Sequence, residues 1–283
     1  VTPATILKLV LLLGVVLLVV AIGIRARMGD LLLLRRPALA LRAMVAMYVA
    51  LPAFVLVLVW LVPLQAGVGA ALLGFAVSPV LPPWAKKGAA VGGQSDYVIG
   101  LQILSSGVAL LVVPLMIWIV YRMFGVETAL DPLAVELVLL VTVAAPLALG
   151  MGLARLYPGA APRLAALADR VGGVVLLLGA VVLLIVHGRA ILAVIGQGTL
   201  VVTVAVVAFG LLVGHLLGGP DPGNRGALAS ATVSRHPAIA LLLASGAFPE
   251  HEAAVIGTVL LYLFAALLLA VPYERWRKSV TSD

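Results

Sequence analysis

The sequence predicts an all-α protein that crosses a membrane several times. Three features carry this: apolar runs long enough to span a bilayer, basic residues gathered in the gaps between them, and two runs broken in the middle by proline and polar residues. Of 283 residues, 64% are hydrophobic and 10% charged, where an ordinary soluble domain has roughly a quarter charged. Mean hydropathy is +1.26. The formal net charge of +7 would suggest nucleic acid as partner of a soluble chain. Here the cations sit between apolar segments, the pattern of cytoplasmic loops, so nucleic acid is set aside and the lipid bilayer is the expected partner. With no cysteine, disulfides, thiolate metal sites and thiol nucleophiles are excluded.

A hydrocarbon core of about 30 Å needs about 20 apolar residues per helix. The first run, Ala4 to Ile24, is too long for a signal peptide and lacks a cleavage site, so it reads as a retained span although the chain begins at Val1. Further spans are expected over Ala38 to Val62, Val68 to Val80 continued by Trp84 to Val91, Asp96 to Tyr121, and Leu133 to Leu156. Val171 to His187, Leu200 to Leu217, Ala227 to Ser245 and Ala253 to Val271 complete the series, nine crossings if each broken pair counts once. Val171 to His187 is short and glycine-rich, and GGPDPGNRG, Gly218 to Gly226, reads as a turn.

Lys and Arg bias sets the orientation. Arg25, Arg27, Arg35, Arg36 and Arg42 follow the first span; Arg155, Arg163 and Arg170 follow the fifth. Arg225 precedes the eighth, and Arg275, Arg277 and Lys278 follow the ninth. The opposite side carries Lys8, Arg122 and Arg189 with Glu127, Asp131, Glu250 and Glu252. The expectation is a multi-pass cell-membrane protein with its N-terminus outside and its C-terminus cytoplasmic.

The two interruptions matter most. ALASATVSRHPAIALLLAS, Ala227 to Ser245, carries Ser230, Thr232, Ser234, Arg235, His236 and Pro237 in its middle. An arginine at mid-bilayer costs about 2.5 to 3.5 kcal/mol on insertion scales, so it should face protein, water or ligand. Pro237 lacks a donor and pushes His236 out of the α region, so the helix should break. SPVLPPWAKKGAAVGGQSD, Ser78 to Asp96, is its counterpart. Each is third in a run of four spans, and the runs start five spans apart, an odd offset that inverts one relative to the other. The chain thus reads as one transmembrane domain, residues 1–283, with inverted repeats at about 4–121 and 171–271 and a binding site at the repeat interface near the midplane.

These residues resemble the bile acid/sodium symporter family and its wider superfamily. In that family the first broken segment is a Cys-Pro-Gly-Gly-type crossover followed by Ser-Asn, a short helix ending in Gly, and a long helix ending in Pro. Pro79, Gly93 and the stretch from Gly93 to Pro114 fit those places. AIGIRARMGDLLLLRRPALALRAMVAMYVALP is similar to the family's first helix end, Arg-Pro connection and Pro-containing second helix. ATVSRHPAIALLLASGAF fits the frame of its Glu-x-Gly-x-Gln-Asn segment. The resemblance implies a core containing the two crossing broken helices, a panel formed by spans 4–24, 133–156 and 171–187, and alternating access between them. It also places the family's sodium-site positions on Ala231, Arg235, His236, Trp84, Ala85, Val98 and Gln102. Hard cations need several oxygen ligands, and most of those oxygens are missing, so sodium coupling is expected to be weakened or lost.

Arg235 has two readings: a fixed charge where the family holds sodium, or a scaffold group paired with Asp96 or backbone carbonyls. Lys86 and Lys87 line the cavity or end a short helix; Asp96 carries a proton or caps the fourth span and pairs with a lysine. His236 shuttles protons or is structural, and Gln102, Ser105 and Ser106 face a cavity or allow close packing. Glu136 serves the dipole of the fifth span. His187, His215, His236 and His251 share no metal-ligand spacing, and no Gly-x-Ser-x-Gly elbow, Walker loop or cofactor motif occurs. An enzyme is therefore not expected. The expected function is a secondary transporter of a small organic anion, probed by Arg235, His236, Ser234, Thr232, Lys86, Gln102 and Asp96, and not sodium-coupled. Proton or sodium symport is the alternative, and a non-transporting receptor or structural subunit the alternative class.

Overall fold

The computed structural model describes residues 3–26, 36–81, 84–124, 140–196 and 198–281, with the single positions 33 and 137. Arg27, Arg35, Pro82, Glu127, Asp131, Glu136 and the first residues of the Leu133 to Leu156 span lie outside the described residues. The described residues are mostly helical, with no strand named among them. The helices are α1 (Pro3–Arg25), α2 (Pro37–Leu61), α3 (Ala66–Val77), α4 (Trp84–Ala90), α5 (Ser95–Phe124) and α6 (Leu140–Leu156). They continue as α7 (Ala161–Val194), α8 (Thr199–Leu217), α9 (Pro222–Val233), α10 (Pro237–Ala247) and α11 (Glu252–Thr281). Among the described residues five helices are long and apolar enough to cross a membrane, and four shorter apolar helices stand beside them. This is a membrane protein.

Prolines set the helix boundaries. Pro37, Pro222 and Pro237 stand in the first turns of α2, α9 and α10, where the missing N–H costs nothing. Pro52 and Pro146 act differently, because each follows a π-helical turn, Ala46–Ala50 in α2 and Leu140–Ala144 in α6. In α2 the Leu51 N–H bonds to the Ala46 carbonyl five residues back. Since Pro52 has no N–H to offer, the Met47 carbonyl is left without its helical partner.

Three expected boundaries move. Val171 to His187 is part of α7, which runs from Ala161 to Val194. The Gly172 and Gly173 pair does not end a helix: a Cβ on Gly172 would lie 2.8 Å from the Gly14 carbonyl oxygen, so this glycine lets α1 pass closely. The turn at Gly218 is shorter than expected, because Asp221 caps α9 by accepting the Asn224 N–H at 2.7 Å. Arg275, Arg277 and Lys278 lie on α11 itself, which continues past Val271 to Thr281.

Two bodies of packing result. The larger core gathers α2, α3, α5 and α8 to α11 around buried Phe75, Leu72, Leu101 and Tyr262. The smaller one joins α1, α6 and the start of α7 through Val20, Ile24, Ala161 and Ala165. Gly23 and Gly150 set the spacing in the smaller group, since a Cβ on either would overlap the facing backbone.

Gly150→Ala should therefore destabilise the protein by about 1–3 kcal/mol through overpacking, seen as a lower melting temperature in detergent. Gly152→Ala, on the same helix with nothing within 4 Å of its added Cβ, should leave the melting temperature unchanged.

Candidate functional site at the helix crossover

α3 ends at Val77 and α9 at Val233, and the two non-helical stretches that follow run against each other. Val80 and Arg235 form an antiparallel bridge. The Leu81 N–H donates to the Ser234 carbonyl at 2.8 Å and the His236 N–H to the Pro79 carbonyl at 3.0 Å. Backbone groups freed by broken helices must find partners inside a membrane, and here each break supplies them to the other. Side chains complete the set: the Val80 N–H donates to Ser105 Oγ at 3.0 Å, and Gln102 Nε2 donates to the Val80 carbonyl at 2.9 Å. Ser78 Oγ accepts the His236 N–H at 3.0 Å and donates to the Phe75 carbonyl at 2.9 Å.

Arg235 is 1% exposed. Its Nε donates to the Phe75 carbonyl at 3.1 Å, and Nη2 to the Met47 carbonyl at 3.1 Å and the Ala76 carbonyl at 2.5 Å. Phe75 and Ala76 are in the last turn of α3, where carbonyls have fewer helical donors and the helix dipole is negative. Met47 is the carbonyl released by Pro52. The guanidinium also lies over the Tyr48 ring, 5.0 Å from its centre. Tyr48 Oη in turn donates to the Ser105 carbonyl at 2.7 Å and meets Ser105 Oγ at 3.0 Å. Arg235 is thus held by backbone carbonyls rather than by Asp96, and its Nη1 has no hydrogen-bond partner among the described residues.

Beside the crossover, between it and α1 and α6, lies a small cavity. Its lining is Val19 and Ile22 from α1, Gln102, Ile103 and Ser106 from α5, Val143 and Leu147 from α6, and Val80 and His236 from the crossover. The free space is about 10 Å³ for the centre of a water-sized sphere, room for roughly one water. Both ring nitrogens of His236, 2% exposed, and the Oε1 of Gln102, 3% exposed, have no hydrogen-bond partner among the described residues. These unsatisfied polar atoms in an otherwise apolar cavity make it the candidate binding position, since buried polar groups are normally paired.

The other expected site residues are dispersed. Thr232 donates its hydroxyl to the Leu228 carbonyl four residues back, and Ser234 serves through its carbonyl. Asp96 lies in the first turn of α5, accepting the Tyr97 N–H at 2.9 Å. Lys86 lies 3.0 Å from Asp169 of α7, and Lys87 is exposed. Ala231, Trp84 and Val98 are buried and Ala85 is half-buried; of these side chains none carries an oxygen. Ser230 finds a carboxylate that sequence reasoning missed, donating to Glu274 of α11 at 2.6 Å. Asp169 was also missed, although it is the sole acid between Glu136 and Asp221.

A second, larger space of about 640 Å³ opens where α1 ends, lined by Ile24, Arg25 and Ala26, by Ser95 and Ile99 of α5, and by the α6–α7 connection from Ala154 to Ala165. No family model matches the sequence, and no curated protein matches it.

Replacing Arg235 with the similarly long but apolar Met would take the side-chain donor from the buried Met47 and Ala76 carbonyls, while the Phe75 carbonyl keeps Ser78 Oγ. Arg235→Met should cost about 2–4 kcal/mol of stability, measured by thermal melting, with Arg235→Lys intermediate. A melting temperature equal to wild type would remove Arg235 from the scaffold.

Proposed function

We propose that this chain is a secondary transporter of a small organic anion, working by alternating access and without sodium coupling. The observation that carries the reading is the meeting of the two helix breaks in one antiparallel bridge, with unsatisfied His236 and Gln102 beside it. Discontinuous helices that cross near the midplane are how many transporters make a substrate site. In this reading α1, α6 and α7 are the panel and the remaining helices the core. The chain crosses nine times in inverted repeats, with N-terminus outside and C-terminus cytoplasmic. The resemblance to the bile acid/sodium symporter family supports the same assignment.

Roles divide by burial. His236 and Gln102 touch the substrate; Ser234 and Thr232 position the crossover. Arg235 attracts an anion through its field, since no carboxylate neutralises it. Lys86 and Asp96 act nearer the cytoplasmic opening. Sodium independence is supported by the scarcity of oxygen ligands at Ala231, Trp84, Ala85 and Val98 and by the Arg235 guanidinium holding carbonyls a metal ion would need. A non-transporting receptor or structural subunit is the second reading, favoured by how little room the crossover cavity offers.

Reconstitution into liposomes tests both. Counterflow of radiolabelled organic acids should be saturable and equal with and without sodium or proton gradients, and Gln102→Leu should weaken half-saturation about tenfold, the effect of one lost buried hydrogen bond. Strong sodium stimulation would overturn the coupling claim. Binding without flux would select the receptor.

A further inference from the structure

The two helix groups touch unevenly. Near one end of α7, Gly257 of α11 packs on the α7 backbone, where an added Cβ would lie 2.8 Å from the Ala190 carbonyl carbon. Near the other end, α1, α6 and α7 face α5 across the 640 Å³ cleft that Arg25 and Ser95 line. Among the described residues one ion pair spans that open end: Lys86 Nζ on α4 lies 3.0 Å from Asp169 Oδ2 on α7. Arg25 of α1 pairs with the same oxygen from Asp169's own side.

The three groups are unequally anchored. The Asp169 side chain is 8% exposed, Arg25 42% and Lys86 63%. The carboxylate is therefore fixed in the panel, and the lysine is the member that reaches across from the core. We infer that Lys86 and Asp169 form a latch that ties the core to the panel at the cleft, and that Arg25 is the resident partner that lets the latch open. A buried carboxylate stripped of its cation is strongly destabilising. With two cations on one oxygen, Lys86 can leave while Arg25 keeps Asp169 paired, and the departing ammonium is already mostly in water. The ion pair therefore breaks without stranding a buried charge. Arg25 and Asp169 move together with α1 and α7, and Lys86 moves with α4 and the crossover.

The latch rests on the core and panel division of the transport reading, and it can be tested without any substrate. Because the chain has no cysteine, Ala90→Cys on α4 and Ala166→Cys on α7, both exposed, give one spin-label pair across the cleft. Its distance distribution is read by double electron–electron resonance in lipid nanodiscs. Lys86→Gln should shift the distribution to longer distances, and Lys86→Arg should keep it at the wild-type position. A distribution unchanged by Lys86→Gln, or shifted equally by Lys86→Arg, overturns the latch. Flux in liposomes together with an unchanged Lys86→Gln distribution would keep the transporter and discard the latch; a shifted distribution in a protein without flux would do the reverse.

Discussion

The buried guanidinium of Arg235, held by three carbonyls and by no carboxylate among the described residues, decides how the middle of this protein is built. Moving an unpaired cation into a low-dielectric interior is prohibitively costly, and no acidic partner pairs with Arg235 among the described residues. Two prolines supply the substitute. Pro52 disables one donor in α2 and thereby leaves the Met47 carbonyl free, while Pro79 stands just beyond the end of α3, whose last carbonyls Phe75 and Ala76 offer. The negative end of a helix and a π-turn acceptor together take the role of a counter-ion. Removing the arginine would leave the Met47 and Ala76 carbonyls without it, so cation and breaks depend on each other.

That arrangement separates charge from contact. Arg235 has most of its donors committed and does not line the crossover cavity, whereas His236 and Gln102 do. A bound group there would exchange hydrogen bonds with an imidazole and an amide, while the positive charge of the arginine behind them raises the local potential. Neutral groups read shape and hydrogen-bond pattern; a fixed charge favours one sign of ligand. The carbonyls nearest the crossover are already turned toward the Arg235 guanidinium.

The breaks and their pairing were legible because proline and charged residues inside apolar runs have few physical meanings. Arg235, His236 and Pro237 in a 19-residue apolar stretch demanded a break, and Ser78 to Asp96 repeated the signal. Which groups would satisfy Arg235 was not legible, because backbone carbonyls have no sequence signature; only Pro52, and the π-turn it accompanies, gave a hint. The start of α7 was not legible, since the glycine-rich look of Val171 to His187 reflects in part the close passage of α1 at Gly172, while the helix itself begins at Ala161. Asp169 was overlooked because its two cationic partners come from α1 and α4, more than eighty residues away in one case and more than a hundred in the other.

Close packing within a group favours movement as a unit, because packed interiors deform little and interfaces rearrange discretely, and α7 meets α11 closely at Gly257. α1 meets α6 at Gly23 and Gly150 and meets α7 at Gly14 and Gly172, with backbones in near contact along both crossings. Such surfaces leave no slack for one helix to move alone. The opposite holds between these helices and the crossover, where a cavity, a cleft and one ion pair lie along much of the boundary. The hydrogen bonds that join Val80 to Ser105 and Gln102, and Arg235 to α2 and α3, all lie on the far side of that boundary. Any displacement of the two groups can therefore leave the crossover intact, since no bond that holds it together reaches across to α1, α6 or α7 among those described.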